Sequence, residues 1–269
     1  MNVKKFPSFN FKKRLLSMLK VDFRRMFTMP LYYIVVGISF VIPILIIVMT
    51  TMMVGTESVD HITGEVTIME PIFENVWQAI GSIPGQSETM TLDIATMCNI
   101  DMMFFAVAVL VCIFVSEDFR SGYSKNLFTI RSNKVDYVIS KTMVGFIGGV
   151  SMLLAYFIGA MMGGAISKLS FELVGVNVMN IIMCMTSKLF LVLVFVSIFL
   201  VMSIIGKEKT WLSIILSLAV SMLLFMMIAS ITPLNSTIIN LILSIVGGLL
   251  FSLGLGAVSN LILNKKSIL

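Results

Sequence analysis

The sequence predicts an all-α integral membrane protein with six transmembrane helices. Of its 269 residues, 58% are hydrophobic and only 12% are charged, whereas soluble domains carry about 25% charged residues. Several apolar runs of about 20 residues match the hydrocarbon thickness of a bilayer. Because a backbone in lipid must satisfy its own hydrogen bonds, we expect these runs to be helices.

Residues 1–29 form a basic, amphipathic segment before the first apolar run. Apolar side chains recur there at helical spacing, and lysines and arginines occupy the other faces. That pattern is typical of a helix lying on the cytoplasmic membrane surface. The alternative is a positively charged flank that only orients the first span.

Residues 30–269 are expected to form a single transmembrane domain. The first predicted span contains Pro43, which interrupts the helical hydrogen-bond pattern and predicts a kink. The six predicted spans cover about residues 31–54, 100–115, 142–167, 187–205, 211–229 and 238–263, with an earlier start of the fourth span left open.

The charge distribution predicts the orientation of these spans. With both termini in the cytoplasm, 17 of the 19 lysines and arginines fall on the cytoplasmic side. The loop of about residues 55–99 then lies outside, with seven acidic residues and no lysine or arginine. By the positive-inside rule we expect a multi-pass protein of the cell membrane in this orientation. The net charge of +5 then reflects this rule and contact with anionic lipid, not nucleic acid.

Charged residues in or near the outer ends of the spans allow two interpretations. Asp101 is either a functional charge within span two or a residue at its boundary, and we favour the boundary residue. Lys188 is interpreted as a side chain that snorkels outward from span four. The acidic loop is expected either to attract a cationic substrate or to be a solvated segment kept outside by its lack of positive charge.

The cytoplasmic loop of about residues 116–141 carries the strongest functional signal. Ser116 is interpreted as the N-cap of a short helix. Four apolar residues follow at helical spacing and predict one docking face, and they are Phe119, Tyr123, Leu127 and Ile130. Four further residues are expected to shape or rim that contact, and they are Asp118, Gly122, Lys125 and Asn126. Composition alone leaves a surface helix resting on lipid equally open.

A wider pattern runs through the same loop. An acidic and an aromatic residue are followed by glycine, Lys-Asn, a basic residue, tyrosine and Ser-Lys. The residues that carry it are Asp118, Phe119, Gly122, Lys125, Asn126, Arg131, Tyr137, Ser140 and Lys141. This pattern resembles the cytoplasmic loop of ABC-2 type transporter permeases, in particular small Gram-positive permeases of antimicrobial-peptide immunity and export. Where the family usually has an arginine after the helix, Lys134 takes that place here.

The resemblance implies that the loop is the coupling helix of an ATP-driven exporter. Two copies of a separate ATPase subunit would bind ATP and Mg, and a second permease subunit, identical or related, would complete the substrate path. The implied cargo is amphipathic, with an antimicrobial peptide as one candidate. No glycine-rich stretch of this chain ends in the Gly-Lys-Ser/Thr of a Walker A loop, so the ATPase is expected in a partner.

Two other classes of function remain open at this stage. One is a membrane sensor or scaffold of a peptide-resistance system that moves no substrate. The other is an intramembrane enzyme, although the single histidine, His61, and three widely separated cysteines predict no catalytic or metal site. We therefore expect no enzymatic activity and no cofactor in this chain.

Span three contains a glycine pattern that predicts close helix packing. Gly159 and Gly163 form a GxxxG pair, and Gly164 follows directly. Small residues at this spacing let two helices approach closely, either within one chain or between two subunits.

Overall fold

The computed structural model describes residues 11–59, 66–68, 71–81, 98–130, 134–173 and 175–266. Its α-helices over these residues are α1 (Phe11–Thr28), α2 (Pro30–Met53), α3 (Met103–Arg120), α4 (Tyr123–Ile130), α5 (Val135–Ile166), α6 (Val178–Gly206), α7 (Thr210–Ile231) and α8 (Ile238–Lys266). Five of them, α2, α3, α5, α6 and α8, are long and apolar enough to cross a membrane, α3 together with the 3-10 turn before it. The predicted class, an all-α multi-pass membrane protein, is confirmed at this level.

Helix α7 corresponds to the predicted fifth span. It runs over 22 residues, Thr210–Ile231, but is not one of the five helices named above. The count of six spans, and the placement of both termini in the cytoplasm, therefore stay predictions.

Helix α1 is attached to the bundle through one of its faces. Met18, Asp22 and Met26 are buried and recur every four residues, whereas Leu16 and Phe27 on another face are exposed. Because Asp22 binds side chains of α5, α1 packs against α5 through this stripe. Residues 1–10 of the predicted segment lie outside the described residues, and its location on the membrane surface stays a prediction.

Helices α2 and α5 pack closely around Pro43. Pro30 occupies the first turn of α2, where its missing N–H costs no hydrogen bond, and the helix continues through the buried Pro43. A Cβ atom at Gly159 would clash with the carbonyl oxygen of Phe40, and one at Gly163 would lie 3.0 Å from the Cα of Ile44. Because they have no side chain, both glycines let α2 of the same chain approach α5 closely.

Helices α3 and α6 form the centre of the bundle. In the most apolar 18-residue stretch of each of these helices 67% of the residues are buried, whereas in the corresponding stretch of α8 only 11% are buried. The rings of Phe104 and Phe195 meet between the two helices, with centroids 4.5 Å apart. The apolar surface of α8 is thus left to face its surroundings, as expected of a helix at the bundle's periphery in lipid.

The predicted outer loop contains a small hairpin and a 3-10 turn. Strands β1 (Glu57–Val59) and β2 (Val66–Ile68) pair antiparallel, and the turn Val76–Ala79 is capped by Asn75. The Trp77 indole N–H donates to the carbonyl of Phe171 at 3.1 Å. Residues 60–65, 69–70 and 82–97 of this loop lie outside the described residues, so its predicted role in attracting substrate stays a prediction.

Gly164 contacts this outer turn. A Cβ atom there would clash with the side chain of Val76, so Gly164 brings the turn down onto the end of α5.

Two predicted spans begin earlier than their hydropathy indicates. Helix α5 begins at Val135 and not at residue 142, and α6 begins at Val178 and not at residue 187. In the first turns of α5, Asp136, Ser140 and Lys141 are buried in the protein. From the sequence these polar residues were expected to lie in water. In the structure they are buried because they pair with side chains of other helices.

Candidate functional site

A cluster of buried charges joins three helices where α3 ends and α5 begins. The Lys141 ammonium of α5 lies 2.9 Å from the Asp22 carboxylate of α1 and 2.7 Å from the Asp118 carboxylate of α3. Arg25 of α1 pairs with Asp118 at 2.6 Å. Asp22, Asp118 and Lys141 are each at most 1% exposed. We call Asp22, Arg25, Asp118 and Lys141 the ionic cluster.

The ionic cluster is balanced in charge and hydrogen-bonded. The hydroxyl of Ser140 donates to Asp22 at 2.6 Å, and that of Tyr137 donates to Asp118 at 3.1 Å. Burial disfavours the Arg25 cation, but Asp118, Asp22 and Tyr123 together outweigh this effect, so the pKa of Arg25 is raised. Buried charges persist only when such partners compensate them. The cluster therefore ties α1, α3 and α5 together.

A second ion pair holds the beginnings of α1 and α5 together. Arg14 lies 3.2 Å from the carboxylate of Asp136, whose side chain is 1% exposed. With the ionic cluster, this pair fixes α1 to α5 at two points along its length.

Helix α4 is attached to the ionic cluster by a tight turn and by two aromatic contacts. The turn is made by Gly122, whose φ of +74° lies in the left-handed region that favours glycine. The guanidinium of Arg25 lies 4.4 Å from the centroid of the Tyr123 ring, a cation–π contact. Phe128 meets Tyr137 edge-on at 5.3 Å. One face of α4 is thus directed toward the cluster.

The interpretation of Ser116 as an N-cap is wrong. Helix α3 continues through Ser116 to Arg120, and the Ser116 hydroxyl is buried and donates to that of Ser213 at 3.5 Å. Asp118 was expected to shape or rim the contact made by that short helix. In the structure Asp118 is paired inside the protein, so the chain needs no break before it.

The expectation that four apolar residues share one helix is also wrong. Phe119 belongs to α3, whereas Tyr123, Leu127 and Ile130 belong to α4. Phe119 and Leu127 pack against the protein's own core, and the side chain of Ile130 lies outside the described residues.

The exposed side of α4 is polar. Lys125 and Asn126, which the sequence placed at the rim, are exposed together with Thr129. Lys125 lies 3.7 Å from Glu208 in the turn between α6 and α7, with 77% of its side chain exposed. Helical spacing groups the apolar residues of a helix, but it does not reveal which of its faces is covered.

A pocket of about 620 Å³ lies beside α4, between the α6–α7 turn and the end of α8. We call it the basic pocket, and its lining residues are Phe119, Ser124, Lys125, Phe128, Thr129, Lys134, Ile204, Lys207, Glu208, Leu263 and Asn264. Lys134 is only 5% exposed, and its ammonium donates to the carbonyl of Leu263 at 2.7 Å. Burial lowers the pKa of Lys134.

Another ion pair, fully buried, lies at the opposite end of α3 from the ionic cluster. The Lys188 ammonium of α6 donates to the Asp101 carboxylate at 2.5 Å, and both residues are at most 2% exposed. The interpretation of Lys188 as snorkelling outward is therefore wrong, and Asp101, which does lie at the beginning of its apolar stretch, is buried against Lys188. The sequence did contain a signal for this ion pair, namely two opposite charges in separate apolar runs. A charge within a span needs a partner, and each of these residues could supply it to the other.

The described residues include no group of three or more His, Cys, Asp or Glu side chains arranged to hold a metal ion. His61 lies outside the described residues. That the chain has no enzymatic activity and binds no cofactor stays a prediction.

Searches with this sequence and structure found no matching family model, no matching curated protein and no matching solved structure. The resemblance to ABC-2 type permeases therefore rests on the loop pattern and the predicted layout of the spans.

Proposed function

We propose that this protein is the permease subunit of an ATP-driven ABC exporter, and that a separate ATPase subunit acts on α4. The observation that carries the proposal is the attachment of α4 to the ionic cluster. A short helix between two long apolar helices has its exposed side free for a partner, and its inner side contacts charges shared by α1, α3 and α5. The loop pattern supports an ABC ATPase as the partner.

The contacts of α4 indicate how its displacement would reach the membrane. The Gly122 turn connects α4 directly to α3, and Tyr123 contacts Arg25 of α1. Lys141 then connects both aspartates of the cluster to α5. Because separating buried opposite charges is costly, the three helices would move together when ATP closes the ATPase dimer. Two permease subunits would alternate in this way around an amphipathic substrate such as an antimicrobial peptide, with ATP and Mg bound by the ATPase.

The proposed docking surface is the exposed side of α4, which consists of Lys125, Asn126 and Thr129. Glu208, 61% exposed beside Lys125, extends this surface onto the α6–α7 turn. It replaces the apolar docking face expected from helical spacing. Charged rims of this kind select a partner and set its register.

Purification in mild detergent from the native cell tests the proposal. We expect an ABC ATPase to copurify, and Lys125→Asp combined with Thr129→Asp to lower its recovery about tenfold, equivalent to about 1.4 kcal/mol. Lys20→Asp is the matched control, because Lys20 is an exposed lysine of α1 on the same predicted side.

Undiminished ATPase recovery with the double variant would exclude α4 as the docking element. Peptide-dependent signalling without ATP-driven flux would favour the sensor alternative, and modification of a substrate by the purified chain alone would favour the enzyme.

A further inference from the structure

The basic pocket holds a buried cation without an acidic partner. Among the described residues Lys134 forms no ion pair, and the adjoining residues 131–133 contain no acidic side chain. The carbonyl of Leu263 accepts one hydrogen bond from its ammonium, and the centroid of the Phe128 ring lies 5.3 Å from it, whereas an ammonium can donate three hydrogen bonds. A cation that is 5% exposed is costly to bury without a counter-charge. An anion bound in the pocket would supply that counter-charge.

The other charged residues of the pocket are also mainly positive. Lys125 and Lys207 line it together with Lys134, against the single carboxylate of Glu208. Glu208 lies beside Lys125 at the exposed rim, which leaves Lys207 and Lys134 to attract an anion.

An apolar groove of about 460 Å³ begins next to the pocket. It runs between α5 and α8, and its lining residues include Val135, Val138, Met143, Leu249, Leu253 and Gly256. Val135 directly follows Lys134, and the groove residue Asn260 lies one helical turn from the pocket residue Asn264. A charged pocket is thus followed, along the same two helices, by a hydrophobic groove.

We propose that the basic pocket and this groove together bind an anionic phospholipid. Its phosphate would lie at Lys134 and Lys207, and an acyl chain would follow α5 and α8. Basic pockets between transmembrane helices on the cytoplasmic side are suited to anionic headgroups. A free phosphate would satisfy the same lysines, but it would leave the groove empty, and so would a carboxylate from a protein partner. The groove therefore favours the lipid.

Native mass spectrometry of the protein released from nanodiscs tests the proposal. The nanodiscs are made of phosphatidylcholine with a minor fraction of phosphatidylglycerol. We expect retention of phosphatidylglycerol over phosphatidylcholine, and a loss of about fivefold for either Lys134→Gln or Lys207→Gln, following the usual contribution of one lysine near an anionic lipid. Lys207 is exposed in a turn, so its variant stays informative if Lys134→Gln does not fold. Lys168→Gln, in an exposed turn at the other end of α5, is the control and should retain the lipid.

A second variant separates the lipid from a free phosphate. A Cβ atom at Gly256 would meet only Val138, at 3.6 Å, so Gly256→Leu adds a side chain to the groove and leaves the lysines in place. We expect Gly256→Leu to lower phosphatidylglycerol retention, and added inorganic phosphate not to displace the lipid.

Three outcomes would overturn the proposal. One is lipid retention that Lys207→Gln leaves unchanged. Another is displacement by inorganic phosphate with no effect of Gly256→Leu, which would identify a phosphate site. The third is loss of ATPase recovery in the Lys207→Gln variant with unchanged lipid retention, which would assign the pocket to the protein partner. Because lipid retention is measured without the ATPase, its failure would leave the proposed transport function standing.

Discussion

Replacing Lys141 by methionine would leave the ionic cluster with an uncompensated negative charge. In the native protein Lys141 lies within 2.9 Å of both Asp22 and Asp118. Without it, Arg25 is the only remaining cation of the cluster against two carboxylates. Methionine is similar in length and keeps the apolar contacts of the lysine stem, so the change isolates the loss of charge.

The burial of the cluster sets the expected magnitude. Lys141, Asp22 and Asp118 are each at most 1% exposed, and removing one partner of such a pair costs about 3–5 kcal/mol. That corresponds to a fall in melting temperature of roughly 10 °C for a chain of this size. By contrast, Lys125→Met removes an exposed pair with Glu208, for which we expect about 0–1 kcal/mol.

Thermal unfolding of the purified variants in one detergent measures these effects. The double variant Lys141→Met with Asp22→Asn restores charge balance, because one positive and one negative charge are removed together. We therefore expect it to recover a substantial part of the lost stability, as in a double-mutant cycle with a large coupling term. If the double variant is as unstable as the sum of its two single variants, charge compensation does not explain the stability of this site.

Two further predictions concern packing and orientation. Gly159→Ala should destabilise the protein by about 1–3 kcal/mol, because its methyl group would overlap the backbone of α2. The control Gly254→Ala, whose methyl group would meet no atom within 4 Å, should be neutral or slightly stabilising. Equal melting temperatures for the two variants would contradict the α2–α5 contact. In a variant without native cysteines, Glu172→Cys should react with an impermeant thiol reagent added outside intact cells, whereas Ser121→Cys should not. The reverse labelling pattern would overturn the predicted orientation.

Part of the candidate site could be predicted from the sequence. The loop of residues 116–141 was predicted to be the functional segment and to contain a short helix, and the structure places a short helix there, α4, after the turn at Gly122. Lys125 and Asn126 of the predicted rim are exposed. Asp118, predicted at the same rim, lies instead in the ionic cluster, because its partners Lys141 and Arg25 come from other helices.

The basic pocket and the Asp101–Lys188 pair were missed for a related reason. Lys134 was predicted only as the basic residue that follows the short helix of the loop, and the sequence does not show that it meets the end of α8. Its partner Leu263 is 129 residues away. Asp101 and Lys188 were each interpreted alone, because hydropathy treats every charged residue separately and does not show that two charges in different spans can pair.

Hydropathy and helix length alone determined that this chain is a helical, multi-pass membrane protein, because the cost of unpaired backbone in lipid leaves a long apolar run no other structure. Only the tertiary structure decided where the polar residues of those runs belong. Whether a charge lies in water, in lipid or against an opposite charge depends on which helices are neighbours. The electrostatic energy of two charges depends on the distance between them in space, and sequence separation does not measure that distance.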